Sequence, residues 1–239
     1  MATFVLIHGG WHGAWCWERL APLLRGAGHR VATPTLPGIG ERTAELAPSI
    51  DLAAHINDVV NLLWAEDLTA VALVGHSYGG MVITGVADRV AERLSRLIYL
   101  DAFVPLAGQS LFDLLPPQRR AMYAEQAQVH GEGWRIPPPP ATAFGIKGEA
   151  DLVWVTARLS PQPLATLTQP FRPTRSKMPC LMRSYIQCTD GPLTASFAPF
   201  GEYARQSADW TWHALATGHD AMLTMPDALA AILLDLVAS

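Results

Sequence analysis

The pentapeptide Gly75-His76-Ser77-Tyr78-Gly79 restricts this chain more than any other stretch, because of what flanks it. Before it runs Ala70-Val71-Ala72-Leu73-Val74, a continuous apolar segment that reads as a strand buried on both faces. After it the chain passes directly into a helical pattern over Tyr78–Val90. A serine on so sharp a strand-to-helix turn is held in a strained conformation, which is possible only where its neighbours lack bulk. Gly75 and Gly79 meet that demand. The helix also aims its first N–H groups, and the positive end of its dipole, at any anion forming beside Ser77. Ser77 is therefore expected to be a nucleophile.

Around this turn, short apolar runs alternate with longer amphipathic ones, the pattern of a parallel sheet covered by helices. Candidate strands are Thr3–Ile7, Arg30–Thr33, Ala70–Val74, Leu97–Leu100, Leu181–Cys188 and Thr211–Leu215. Candidate helices are Trp15–Arg25, Ile50–Trp64, Tyr78–Val90, Ala195–Gln206 and Pro226–Val237. The set predicts one α/β domain over residues 1–239, a mostly parallel six-stranded sheet with helices on both faces. The rhythm breaks at about residues 104–178, which hold Pro137-Pro138-Pro139-Pro140 and short helical patterns at Pro117–Gln128 and Pro161–Gln169. An irregular segment of that length is usually functional, and a helical cap inserted over the site is expected.

Composition excludes several roles. The chain is half hydrophobic and 16% charged, so it can bury a large core, and its net charge of −4 offers no basic stripe to a nucleic acid. No apolar run is long enough to span a membrane, and Met1–Ile7 lacks the basic start of a signal peptide, so it reads as a first strand. Cys16, Cys180 and Cys188 are odd in number and lack metal-type spacing, which favours buried free thiols in a reducing cytoplasm. Lys147 and Lys177 are the only lysines, an arginine bias that with the many alanines suits a GC-rich bacterial gene. No metal and no cofactor are expected.

A serine hydroxyl needs a base. Of eight histidines, His29 and His55 read as surface residues, His130 falls in the cap and His213 inside a strand. His219 stands in Ala216-Thr217-Gly218-His219-Asp220, the loop between the last strand and the last helix. Loops after the strands' carboxyl ends gather on one edge of such a sheet, the edge that carries Ser77. His219 is thus the expected base. The acid has two candidates: Asp190, after Leu181–Cys188, is preferred, and Asp101, after Leu97–Leu100, is its rival. Asp209 lies on the wrong edge, and Asp220 adjoins His219 too closely to orient its ring. Oxyanion donors are expected from the Tyr78 amide and from the loop His8-Gly9-Gly10-Trp11-His12-Gly13, where Gly10 is assigned. His8 is expected to pack and hydrogen-bond behind that loop.

The residues from Phe4-Val5-Leu6-Ile7-His8-Gly9-Gly10-Trp11 to Trp17, then Gly28–Val31, Val74–Gly80, Leu159-Ser160-Pro161-Gln162-Pro163-Leu164, Tyr185–Asp190 and Gly218–Met222, resemble the plant methyl-ester hydrolases and hydroxynitrile lyases with their bacterial relatives. That resemblance implies the α/β-hydrolase fold, a triad of Ser77, Asp190 and His219, and an oxyanion hole from Gly10 and Tyr78. Within the family, lyases carry threonine or asparagine after the first histidine, where this chain has Gly9, and some carry lysine after the catalytic histidine, where it has Asp220. A carboxylate beside a developing cyanide would be unfavourable, so an esterase is expected ahead of a lyase, a lactonase, a carbon–carbon hydrolase or a receptor-like binding module. Trp11, Phe103, Trp134 and Phe144 are expected to line an apolar pocket for a small hydrophobic or aromatic ester. The expected partner is that small molecule, with no nucleic acid and no membrane; a homodimer is left open.

Overall fold

A computed structural model describes residues 1–177 and 179–238. Among these described residues there are eight strands: β1 (Thr3–Ile7), β2 (Arg30–Ala32), β3 (Val71–His76), β4 (Leu94–Leu100), β5 (Arg135–Ile136), β6 (Gln162–Pro163), β7 (Met182–Cys188) and β8 (Trp210–Leu215). Six of them form one sheet in the order β2-β1-β3-β4-β7-β8, parallel throughout. Every residue of β3, and Phe4–Ile7 of β1, is buried, as strands covered on both faces must be. The six apolar runs read from the sequence are the strands of this sheet, Thr3–Ile7 without change and the others with an end shifted by at most three residues.

The helices are α1 (Ala21–Gly26), α2 (Leu52–Ala65), α3 (Gly79–Val90), α4 (Leu111–Leu114), α5 (Pro117–His130), α6 (Glu149–Thr156), α7 (Leu164–Thr168), α8 (Thr194–Gln206), α9 (Ala221–Thr224) and α10 (Pro226–Ala238). Asp51 caps α2 by accepting the Ala54 N–H at 2.8 Å. The helix expected at Trp15–Arg25 is broken into a short 3₁₀ turn, Ala14–Trp17, and α1, because Pro22 can sit only in a helix's first turn. α1 packs with α10, and α2 with α3. Among the described residues no helix is long and apolar enough to cross a membrane.

From β1 the chain moves outward to β2, then returns beside β1 as β3 and builds the other half of the sheet. The loops leaving β1 and β3 therefore diverge, opening a crevice at the strands' carboxyl ends. Between β4 and β7 the chain leaves the sheet to form α4–α7 and a small antiparallel ribbon of β5 and β6, an addition to the short helices expected there. Met178, at the expected far end of this insertion, lies outside the described residues. Of the three cysteines, Cys16 and Cys188 are buried but Cys180 is exposed, contrary to expectation.

Candidate active site

Ser77 occupies the left-handed region, with φ of +54°. Its N–H donates to the Leu100 carbonyl at 3.2 Å, and its own carbonyl accepts from Gly80 and Phe103, each at 3.1 Å. These bonds hold a conformation that a non-glycine residue adopts only at a cost. The flanking glycines are sterically necessary. A Cβ at Gly75 would lie 2.6 Å from the Gly79 carbonyl oxygen, and one at Gly79 would lie 2.7 Å from that of Ile7.

His219 and Ser77 line one cavity of about 650 Å³, which also touches Gly10 and Tyr78. The imidazole of His219 is stacked on Phe197 at 4.6 Å, with an interplanar angle of 19°, and its Nδ1 meets Asp101 Oδ2 at 2.6 Å. Asp101 is itself fixed: its N–H donates to Ile186 at 2.8 Å, its Oδ1 accepts from the Cys188 N–H at 3.1 Å, and its φ is +40°. Burial raises the Asp101 pKa, with the His219 contact pulling the other way.

The structure thus brings Asp101, not Asp190, to His219. Asp190 lies beyond the end of β7, where its amide donates to Thr217 and its carboxylate turns outward to Lys147 Nζ at 3.2 Å, exposed on both sides of the pair. An acid that directly continues the buried strand Leu97–Leu100 has no water to face and must find a partner, which is the signal that favours Asp101. Asp220 also differs from expectation. It is fully buried and points away from the cavity, with Oδ2 3.1 Å from His12 Nε2 and Oδ1 3.7 Å from His76 Nε2. It does not line the cavity, although its charge reaches the site and opposes ionisation of Asp101.

The loop after β1 is built from histidines. His8 Nδ1–H donates to the Gly9 carbonyl at 2.8 Å while its Nε2 accepts the Leu36 N–H at 3.0 Å. Burial lowers its pKa to about 3, so the ring is neutral, packed behind the loop as expected. Because carbonyl and N–H of a trans peptide point oppositely, anchoring the Gly9 carbonyl on the buried side turns the Gly10 N–H the other way. His12 donates from Nδ1 to the Gly10 carbonyl at 2.7 Å. Burial lowers the His12 pKa, but the Asp220 carboxylate and its hydrogen bond outweigh that, and the net shift is upward. His55, expected on the surface, is wholly buried. It receives the Tyr78 hydroxyl at 2.8 Å and donates to the Pro37 carbonyl at 2.9 Å, and burial takes its pKa down to about 4.

Of the four aromatic residues expected at the pocket, Trp11, Phe103 and Phe144 line it. Trp134 does not: it lies half-buried in the cap with Arg135 across its ring. The cavity wall takes Tyr123 and Arg119 from α5 and Phe197 from α8 instead, and the proline run supplies its rim. Tyr123 recurs one helical turn from Arg119 on the face of α5 that closes the cavity, a spacing visible in the sequence only once α5 is known to lie over Ser77. Among the described residues no cluster of histidine, cysteine, aspartate or glutamate is arranged to hold a metal.

This geometry has relatives. A family model described as the alpha/beta hydrolase family matches residues 4–232. A carbendazim-hydrolysing esterase of Nocardioides sp. is 42% identical, across 96% of this chain and 97% of its own length. Methyl jasmonate esterase 1 of Vitis vinifera is 27% identical, across 99% of this chain and 97% of its own. Among solved structures, an extracellular alpha/beta-hydrolase from a Paenibacillus species, described as sharing structural and functional homology with tobacco salicylic acid binding protein 2, superposes with a TM-score of 0.83 at 26% identity, covering 98% of each chain. With its sheet order, its serine on the turn after β3 and these likenesses across nearly its whole length, the chain belongs to the alpha/beta hydrolase family and is one of its carboxylic ester hydrolases.

Proposed function

We propose that Ser77, His219 and Asp101 act as a catalytic triad that hydrolyses small hydrophobic or aromatic esters through an acyl-enzyme. The observation that carries this reading is the 2.6 Å contact of His219 Nδ1 with buried Asp101, beside the cavity that Ser77 also lines. With Nδ1–H committed to Asp101, the other ring nitrogen is the basic one. Ser77 Oγ attacks the ester carbonyl as its proton passes to His219. The bond to the leaving alcohol then breaks, and His219 returns the proton to that oxygen. Water attacks the acyl group, His219 takes its proton, and the acid leaves with Ser77 restored. Asp101 keeps the tautomer and stabilises the imidazolium in both halves.

The oxyanion would be met by the amides of Gly10 and Tyr78, each such donor being worth on the order of 10²–10³ in rate. The neighbouring Trp11 amide is already occupied by Gln162 Oε1 at 3.1 Å, which supports Gly10 as the donor from this loop. Gly9 supports ester over cyanohydrin chemistry. A Cβ there would lie 2.9 Å from both Ser77 Cβ and His76 Nδ1, so the threonine or asparagine of the resembling lyases has no room. The aromatic wall of Trp11, Phe144 and Phe197 suits a planar apolar group, and the Nocardioides relative's name makes carbendazim a substrate to try.

The test is hydrolysis of short-chain p-nitrophenyl esters, with methyl jasmonate, carbendazim and mandelonitrile in the same panel. Ester cleavage by the wild type and its loss by at least a thousandfold in Ser77→Ala are expected. Undiminished hydrolysis by Ser77→Ala would overturn the triad, and cyanide release from mandelonitrile the preference for esters.

A further inference from the structure

Trp11 is the residue next to Gly10, and it holds a left-handed conformation, with φ of +63°, that a bulky residue rarely adopts. Four contacts keep it there. Its N–H donates to Gln162 Oε1 at 3.1 Å, its carbonyl accepts the Ser160 N–H at 3.0 Å, and its indole N–H donates to the Ile136 carbonyl at 3.2 Å. The peptide that precedes it is fixed by His12 at the Gly10 carbonyl. All three of the hydrogen bonds on Trp11 itself come from the inserted cap, two of them from residues 160–162.

Gln162 is the polar centre of that segment. It is fully buried in β6, and both ends of its amide are used: Oε1 accepts from Trp11, and Nε2 donates to Thr166 Oγ1 at 2.5 Å. Thr166, also fully buried, donates onward to the Pro163 carbonyl at 2.6 Å. The amide therefore cannot flip without losing both bonds. Ser160 adds a second tie across the same seam, its hydroxyl accepting the Gly40 N–H at 2.6 Å.

We propose that Gln162 is a positioning residue for the Gly10 oxyanion donor, acting through Trp11. This rests on the triad reading above. Without the Gln162 acceptor, the buried Trp11 N–H would be left unsatisfied, and the strained φ of Trp11 would lose one of the contacts that offset its cost. Relaxation of Trp11 turns the Gly10–Trp11 peptide and, through the Gly10 Cα, loosens the Gly9–Gly10 peptide that carries the Gly10 N–H, leaving the His8 contact at the Gly9 carbonyl to aim that donor alone. Such a donor is misaimed rather than deleted, so the loss is smaller than removal of an oxyanion donor and falls on the chemical step. The cap then has a second task besides enclosing substrate: its root fixes the geometry of the oxyanion loop.

Gln162→Met removes both hydrogen bonds at nearly constant volume. With p-nitrophenyl butyrate, kcat is expected to fall about tenfold while KM stays within twofold, since the donor is needed chiefly in the transition state. A trifluoromethyl ketone that forms a tetrahedral adduct on Ser77 should bind about tenfold more weakly, and Gln162→Glu, which keeps an oxygen facing Trp11, should recover part of both losses. An unchanged kcat, or a loss confined to KM, overturns the inference. If Gln162→Met does not fold, Thr166→Val decides by the same criterion: it removes the anchor of the amide and should lower kcat about threefold with KM unchanged, and wild-type kcat in Thr166→Val overturns the inference. Labelling of the wild type by a fluorophosphonate separates the two readings. No labelling of Ser77 sinks the triad itself, whereas labelled Ser77 with an unaffected Gln162→Met enzyme sinks only the role of Gln162.

Discussion

Two buried aspartate–histidine pairs stand back to back in this molecule, and their surroundings differ. In one, Asp101 meets His219 Nδ1 at 2.6 Å; in the other, Asp220 meets His12 Nε2 at 3.1 Å. The two pairs are linked by a single peptide bond, since His219 and Asp220 are neighbours that face opposite ways. All four side chains are almost inaccessible, so burial does not separate them. What differs is the far edge of each imidazole. His219 keeps an edge on the cavity wall, whereas His12 spends its second nitrogen on the Gly10 carbonyl at 2.7 Å. A ring with one nitrogen left over for substrate can move a proton; a ring with both committed can only brace the backbone. Under the proposed triad, turnover falls to the first pair and loop geometry to the second.

The hardest blow to this contrast would come from Asp101→Asn. It should lower kcat by about 10³–10⁴, because the amide favours the wrong tautomer of His219 while changing its shape little. A loss below tenfold would mean that Asp101 does not serve His219 in turnover. Asp220→Asn should act mainly on stability. Removing one partner of a buried pair costs about 3–5 kcal/mol, read as a lower midpoint of urea unfolding, with kcat of the folded enzyme reduced less than tenfold. The pH dependence sharpens it further. His12 has a raised pKa in the folded protein, so its contribution is complete below the unfolded value of about 6.5 and is lost as pH rises through the folded value. Asp220→Asn should therefore be most damaging at mildly acidic pH, and an equal penalty at pH 6 and pH 9 would remove the charge from His12. The smallest effect is expected at Asp190, whose exposed pairing with Lys147 is worth at most about 1 kcal/mol. Asp190→Asn should leave kcat within twofold, and a collapse of activity would restore it as the triad acid.

Much of this was readable beforehand, for definite reasons. Strands buried on both faces are written as largely apolar runs, so β1, β3 and β4 stand out, whereas β7 and the edge strand β8 carry more polar residues and are partly exposed; a serine between Gly75 and Gly79 after such a run leaves little choice of turn. That His219 shares a cavity with Ser77 follows from topology, because the loop after β8 lies on the same carboxyl edge of the sheet. The acid did not follow. Whether Asp101 or Asp190 reaches His219 depends on a left-handed turn at Asp101 and on the Gly191 turn, φ +128°, that accompanies the outward course of Asp190. Neither non-glycine φ angles nor side-chain directions are encoded in a hydrophobic pattern. The same holds for the cap: Trp134 was expected at the pocket and Tyr123 was not, and it is the position of α5 across the cavity that brings Tyr123 in. His55 and Gln162 were equally hidden, since a polar residue's partner lies far away in sequence.

The buried histidines His8 and His55 carry one more consequence. His8 and His55 hold pKa values of about 3 and about 4 when folded, against about 6.5 when exposed in the unfolded chain. Above that value both forms are uncharged and the two rings favour neither state. Below it the unfolded chain takes up protons that the folded one refuses, at about 1.4 kcal/mol per pH unit for each ring. For these two groups alone that amounts to about 4 kcal/mol by pH 5. Unfolding in mild acid should then consume close to two protons per molecule from this source, a number that calorimetry in buffers of different ionisation enthalpy reads directly. An acid limit of this kind belongs to the scaffold: the enzyme would be lost to acid as a folded object, through imidazoles that do not line the cavity.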